Sequence, residues 1–359
     1  MIEVLIGFII FGLIYSWRKF PKIWKLLVSL GRSSNKNLEF KIPVDKVFED
    51  FIGNEGTIEQ LKRLLQYANL KGEKRLPNIG FFGPKSTGKT ELAHRIAKAL
   101  GVPTLVLSKS TLNSEESFFK EVSKEIEDLS GDSIEAPPMV IFIDEVHVLP
   151  RRIQDSLLTA LERDDRCFRS RLGDINTHNV TFIVATTDPG KLAEPFISRL
   201  SVFWLEPYNT KQIVEILQWR RKNDDNIDPV TLFIPDDGLE LIANASRGVP
   251  RKAIELTQQV GVAISLNIIQ PTTEAIKEDL QRTLSCDEFG LIEIDKKYLR
   301  TVKQFKLAGV SVLSAALGQS KENIEQHIEP WLLQNGWLER GSKGRKLTAK
   351  GLLFVERNL

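Results

Sequence analysis

The sequence predicts an α/β protein: a parallel-sheet domain, then a small all-helical domain and a C-terminal winged helix, with a short apolar helix at the amino terminus. Three observations carry this prediction. Strand-like and helical segments alternate between residues 57 and 205, helical periodicity without convincing strands follows to residue 284, and helical segments leading into a basic hairpin close the chain.

With 359 residues the chain has room for about two or three domains and a sizeable core. Hydrophobic residues make up 42% and charged residues 27%, and the net charge is +2, so overall charge points to no partner. Cys167 and Cys286 lie far apart and lack ligand spacing, which excludes a disulfide framework and a zinc site built on cysteines.

Val4–Trp17 is free of charge and is followed at once by Arg18, Lys19, Lys22 and Lys25. The run is shorter than the roughly 17–25 residues of a usual span, and its flanks are reversed for a cleaved signal. The expectation is a single-pass anchor over residues 1–20 with the amino terminus outside and the catalytic domains in the cytoplasm. An interfacial helix is the alternative. Residues 21–43 read as a juxtamembrane linker.

In the sheet domain, expected over 44–207, helices are predicted over Thr57–Leu70, Lys89–Leu100, Glu115–Leu129 and Ile153–Glu162. Strands are predicted at Ile79–Phe82, Thr104–Leu107, Met139–Ile143, Val180–Ala185 and Val202–Leu205. The helical domain, 208–288, takes helices over Thr210–Lys222, Gly238–Ala245, Pro250–Ser265 and Thr273–Leu284. The last unit, 289–359, takes helices at Lys296–Phe305, Val310–Ala316 and Lys321–Asn335, then two short strands about a Gly/Ser/Lys turn.

Gly83-Pro84-Lys85-Ser86-Thr87-Gly88-Lys89-Thr90 has the phosphate-loop spacing and sits between a predicted strand and a predicted helix. Loop amides and the helix dipole suit phosphates, Lys89 reaches the terminal phosphates, and the Thr90 hydroxyl is a ligand for Mg2+. Downstream, the apolar strand Met139–Ile143 ends in Asp144-Glu145. Asp144 is expected to hold the metal through its water shell and Glu145 to polarise the attacking water. ATP and Mg2+ are thus the expected cofactors.

Val180–Ala185 leads into Thr186-Thr187-Asp188, a polar strand end of the kind that faces ligands in open α/β sheets. Arg199 and Arg251 are candidates for γ-phosphate contacts, one from a neighbouring subunit and one within the chain; spacing does not say which.

These motifs together resemble the RuvB family of AAA+ proteins, motors of Holliday-junction branch migration, from about Phe48 to Leu353. Glu49-Asp50-Phe51-Ile52-Gly53-Asn54-Glu55 is similar to the family's opening motif, and Asp144-Glu145-Val146-His147 to its acidic strand end. Ala185-Thr186-Thr187, Ser198-Arg199, Gly248-Val249-Pro250-Arg251 and Glu329–Gly336 resemble its later motifs. The resemblance implies that Thr187 is the sensor-1 residue, Arg199 a finger acting on the adjacent subunit's ATP, and Arg251 the sensor-2 contact. It implies that Phe51, Ile52 and Tyr208 line the base, that the chain forms a ring, usually a hexamer, and that the winged helix touches DNA.

Charge supports the last point: Leu291–Leu359 holds 12 Lys/Arg against 7 Asp/Glu, and Arg340, Lys343, Arg345 and Lys346 surround the hairpin turn. Three departures stand out. Lys85-Ser86-Thr87 replaces a more apolar stretch; Arg163–Asn179 is shorter and more charged than the family's apolar hairpin, which argues against a RuvA-like partner; and the apolar amino terminus is foreign to the family. A membrane-associated remodeller of a protein complex, with the winged helix as a protein-binding module, is the competing expectation, and a slow nucleotide-gated scaffold is a third.

Overall fold

The computed structural model describes residues 43–107, 114–130, 136–162, 166–223 and 229–359. The expected anchor over residues 1–20 lies outside the described residues; among these, no helix is long and apolar enough to cross a membrane.

Pro43 opens the short helix α1 (Val44–Phe48), which packs with α2 (Glu55–Lys71). Five strands follow: β1 (Ile79–Phe82), β2 (Thr104–Leu107), β3 (Met139–Ile143), β6 (Val180–Thr186) and β7 (Ser201–Trp204). They form one parallel sheet in the order β2-β3-β6-β1-β7. Every residue of β1, β3 and β6 is buried, as expected for strands covered on both faces.

Alternation along the strands separates two cores. Ile141, Ile143, Phe182 and Val184 pack with Phe118 of α4 (Glu115–Ser130) and Leu157 of α5 (Arg151–Ala160). Val140, Phe142, Ile183 and Ala185 pack on the other face with Leu61 and Leu65 of α2 and Leu92 and Ile96 of α3 (Lys89–Leu100). Fixing both helical layers against the sheet fixes the strand ends that carry the motifs.

After the short helix α6 (Glu194–Ile197) and β7, four helices build a third core: α7 (Thr210–Asn223), α8 (Asp236–Ser246), α9 (Pro250–Ser265) and α10 (Thr273–Leu284). Ile213, Leu239, Ile242, Leu256 and Ile276 form its centre. The last unit comprises α11 (Glu293–Phe305), α12 (Val310–Leu317), α13 (Lys321–Asn323), a π-turn at Ile324–Ile328, α14 (Glu329–Gln334), the hairpin β8 (Leu338–Gly341) and β9 (Gly344–Leu347), and α15 (Ala349–Asn358). Ala308 bridges to Arg345, giving the hairpin a third edge, as in a winged helix. Trp337 stacks on Phe354 at 4.3 Å and closes the core over α15.

Some elements differ from expectation. The charged segment before β6 forms an antiparallel hairpin, β4 (Cys167–Ser170) with β5 (Gly173–Asn176), where no strand was predicted. Only Phe168 and Ile175 point inward, too few for a strand signal; Phe168 meets Phe118 at 4.3 Å. The helix after Pro150 begins at Arg151, two residues early, because Pro150 fixes the entry. The closing helix α15 was not predicted.

Candidate nucleotide site

The carboxyl ends of β1, β3 and β6, adjacent in the sheet, bring the three motifs together. Phe82 pairs in register with Thr186, and Ile143 with Val184, so Gly83, Asp144 and Thr187 leave the sheet at one edge.

The phosphate loop turns on two glycines. Gly83 has φ +151° and lies against the Leu205 carbonyl, where a Cβ would not fit. Gly88 has φ +88°, and a Cβ there would come within 2.8 Å of the Phe51 ring and 3.3 Å of the Tyr208 hydroxyl. Lys89 is buried and its Nζ donates to the carbonyls of Gly83 (2.9 Å) and Pro84 (2.6 Å). Burial lowers its pKa, opposed by the charges of Glu145 and Asp144.

The loop's middle residues divide in use. Pro84 has no amide to give a phosphate, and its carbonyl also accepts the Thr87 hydroxyl at 3.0 Å. Thr87 is buried, so its side chain braces the loop and only its backbone can face a ligand. Lys85 is exposed and Ser86 half-buried with φ +61°; Thr90 is exposed on the first turn of α3.

At the end of β3, Asp144 accepts from the amide of Glu145 at 3.0 Å, and burial followed by the Glu145 charge raises its pKa against Lys89 and Arg251. Arg251, exposed at the start of α9, adds a small lowering influence on Asp144. Glu145 sits at φ +49°, a left-handed turn that sends its carboxylate back to β6. There it accepts from the Thr187 amide (3.0 Å) and hydroxyl (3.0 and 3.1 Å).

Two residues beyond those predicted join this group. His147 Nδ1 lies 3.2 Å from Glu145 Oε2 and 2.8 Å from Thr186 Oγ1, which also accepts from the Asp188 amide at 3.0 Å. Both belong to motifs visible in the sequence, but only a fold that pairs β3 with β6 makes His147 a neighbour of the strand end.

Phe51 and Tyr208 flank Gly88, while Ile52 is half-buried beside Phe51. The Arg95 guanidinium lies 5.6 Å from the Phe51 ring centroid and pairs with Asp50. Arg95 holds the Asp50 carboxyl below its usual range. Burial pushes the Tyr208 phenol up to about 12.

Arg199 stands apart. Ser201, at the start of β7, pairs in register with Ile79, so Arg199 lies at the amino edge of the sheet, across the roughly 13 Å length of a four-residue strand from the phosphate loop. Its Nε donates to Glu162 at 3.0 Å, and Asn78, just before β1, donates to the carbonyl of the adjacent Leu161 at 3.0 Å. The structure thus brings the phosphate loop, Phe51, Asp144, Glu145, Thr187 and Tyr208 to one edge and leaves Arg199 at the other.

Around the hairpin turn, Arg340, Lys343 and Lys346 are exposed, with Arg340 paired to Glu325 (3.0 Å) and Lys346 to Glu339 (2.6 Å). Arg345 requires a correction. It is buried, donates to Glu329 at 2.7 Å and to Glu325 at 2.5 Å, and Glu329 also accepts the Tyr298 hydroxyl at 2.9 Å. It belongs to the winged-helix interior, not to a DNA-facing surface.

The residues fit a nucleotide with a divalent cation. Two close-approach glycines leave a cradle, a buried lysine stands beside it, and Thr90 and Asp144 offer oxygen ligands. Among the described residues no cluster of three or more His, Cys, Asp or Glu suggests another metal site.

Sequence comparison matches residues 79–208 to the ATPase family associated with various cellular activities, and residues 288–356 to the RuvB C-terminal winged helix domain. The chain is 30% identical to the Holliday junction branch migration complex subunit RuvB of Fervidobacterium nodosum, over 87% of this chain and 88% of that protein. It is 31% identical to the Thermotoga maritima subunit, over 85% and 89%. The solved Thermotoga maritima RuvB Holliday junction branch migration motor superposes with a TM-score of 0.65 at 29% identity, over 87% of this chain and 97% of that structure.

Proposed function

The chain belongs to the RuvB family of AAA+ ATPases, and from that premise we propose that it hydrolyses ATP at the junctions between copies in a ring, usually a hexamer in this family, and uses the cycle to move branched DNA. The observation that carries this reading is the division of the predicted residues between two edges of one sheet. Lys89, Asp144, Glu145 and Thr187 gather at the carboxyl edge, while Arg199 is at the amino edge, a placement that favours service to another copy's nucleotide.

In this reading the backbone amides from Lys85 to Thr90 surround the phosphates at the positive end of α3. Lys89 leaves the Gly83 and Pro84 carbonyls for the terminal phosphates. Thr90 and Asp144 would hold Mg2+, which would supply charge neutralisation at the phosphate oxygens. Glu145 orients the attacking water, with Thr187 and His147 setting where its carboxylate points. Arg251 and the neighbour's Arg199 stabilise the charge that develops on the transferred phosphoryl. Phe51, Ile52 and Tyr208 line the base.

DNA contact falls to the exposed Arg340, Lys343 and Lys346, whose cations suit phosphates and carry no sequence preference. The segment whose length and charge argue against a RuvA-like partner folds as the β4–β5 hairpin, with Leu172 exposed at its tip. Residues 1–20 tether the ring to a membrane; deleting them releases the chain from membranes with ATP binding intact, and continued membrane association would contradict the tether.

The test of the DNA reading is ATP turnover with and without four-way and duplex DNA. Stimulation by the junction supports it. An unchanged rate with no binding at low salt favours a remodeller of protein complexes.

A further inference from the structure

Tyr208 is the meeting point of three parts of the molecule. Its ring lies against Gly53, so closely that a Cβ there would come within 2.9 Å of it, and its hydroxyl lies beside Gly88 of the phosphate loop. Its carbonyl would lie 2.5 Å from a Cβ at Gly248, in the turn that leads into Arg251. The same carbonyl accepts a 2.6 Å hydrogen bond from Gln334 Nε2 at the end of α14, in the winged helix. The Gln334 amide also lies 3.4 Å from the Cβ position of Gly248.

The winged helix is joined firmly to the helical domain that carries Arg251. Arg247, after α8, pairs with the buried Asp295 of α11 and donates to the Gly290 carbonyl at 2.9 Å. Asn244 donates to the Glu288 carbonyl at 2.9 Å while accepting from Thr210 at the start of α7. Within the last unit, Trp331 donates to the Phe289 carbonyl at 3.1 Å and anchors α14. Tyr208 is itself buried in the helical-domain core, so rotation of that joined body moves Gln334 and the Tyr208 backbone together, and with them the hydroxyl beside Gly88.

We propose that Gln334 is a positioning residue for the ATP site, through which the winged helix and the phosphate loop report on each other by way of Tyr208. The proposal rests on the reading that nucleotide binds at Gly83–Thr90. Gln334 lies outside the phosphate loop and is exposed, so its replacement removes little buried surface.

The test uses the full chain with Gln334→Ala and the near-isosteric Gln334→Glu, which cannot donate to a carbonyl at neutral pH. Loss of one such bond raises the KM for ATP about fivefold while kcat stays within about twofold. Hydrogen exchange with MgADP is then followed at residues 83–90 and 329–337. In the unsubstituted protein MgADP slows exchange in both segments; in both variants it slows only the first, with β8 and β9 exchanging normally. The proposal is overturned if MgADP leaves residues 329–337 of the unsubstituted protein unchanged, or if both variants still transmit the change. No protection at residues 83–90 in the unsubstituted protein overturns the nucleotide reading, and this inference falls with it.

Discussion

The Glu145 carboxylate is gripped by Thr187, which gives it both a backbone amide and a hydroxyl at 3.0 Å. Thr187→Val removes the hydroxyl and keeps the shape and the amide. Steady-state assays should show kcat reduced about tenfold or more with the KM for ATP nearly unchanged, because the lost contact orients the water and does not bind the nucleotide.

The buried Lys89 bridges two carbonyls of its own loop. Lys89→Ala should abolish the rise in melting temperature that MgATP produces, since stabilisation by a ligand scales with its affinity for the folded state. A full ATP-dependent rise in that variant would remove Lys89 from the site.

Gly88→Ala introduces a methyl group at φ +88°, 2.8 Å from Phe51. The combined backbone strain and overlap should destabilise the fold by about 1–3 kcal/mol, read by denaturant unfolding, and displace the ring from the base position.

Arg345 and Lys343 should separate stability from DNA binding. Arg345→Ala leaves the buried Glu329 with only the more distant Arg340 guanidinium at 3.9 Å and should cost about 3 kcal/mol in unfolding free energy. Lys343→Ala should leave stability unchanged and reduce the salt slope of duplex binding by about one.

The Asp50 carboxyl is held low by Arg95, so its folded value lies below its unfolded one. This contribution to stability is present above the unfolded value and is lost as pH falls through the folded value. Asp50→Asn should therefore flatten the loss of stability below about pH 4, measured by melting temperature across an acid series.

The sheet domain is legible because β1 and β3 are short apolar runs and β6 is mostly apolar, each ending in residues that interrupt them with chemistry. The phosphate loop and Asp144-Glu145 could be read for the same reason. His147 and Thr186 could not be placed, because their meeting depends on which strands are neighbours, and strand order leaves no local trace in a sequence. Arg345 was misread because a basic residue beside a turn has the same local signature whether it faces water or Glu329. The β4–β5 hairpin escaped notice because two inward residues, Phe168 and Ile175, make too short a pattern.

In the proposed ring each site is completed by a neighbour's Arg199, a reading supported by its location at the sheet edge opposite the phosphate loop. Glu145→Gln should be inactive while retaining its own finger, and Arg199→Ala should be inactive while retaining its own site. The direct measurement is ATP turnover after mixing the two purified variants. Turnover recovers if the finger acts between copies, because junctions then form that pair an intact Glu145 with an intact Arg199. A mixture as inactive as its components, with mixed rings verified to form, would contradict the account.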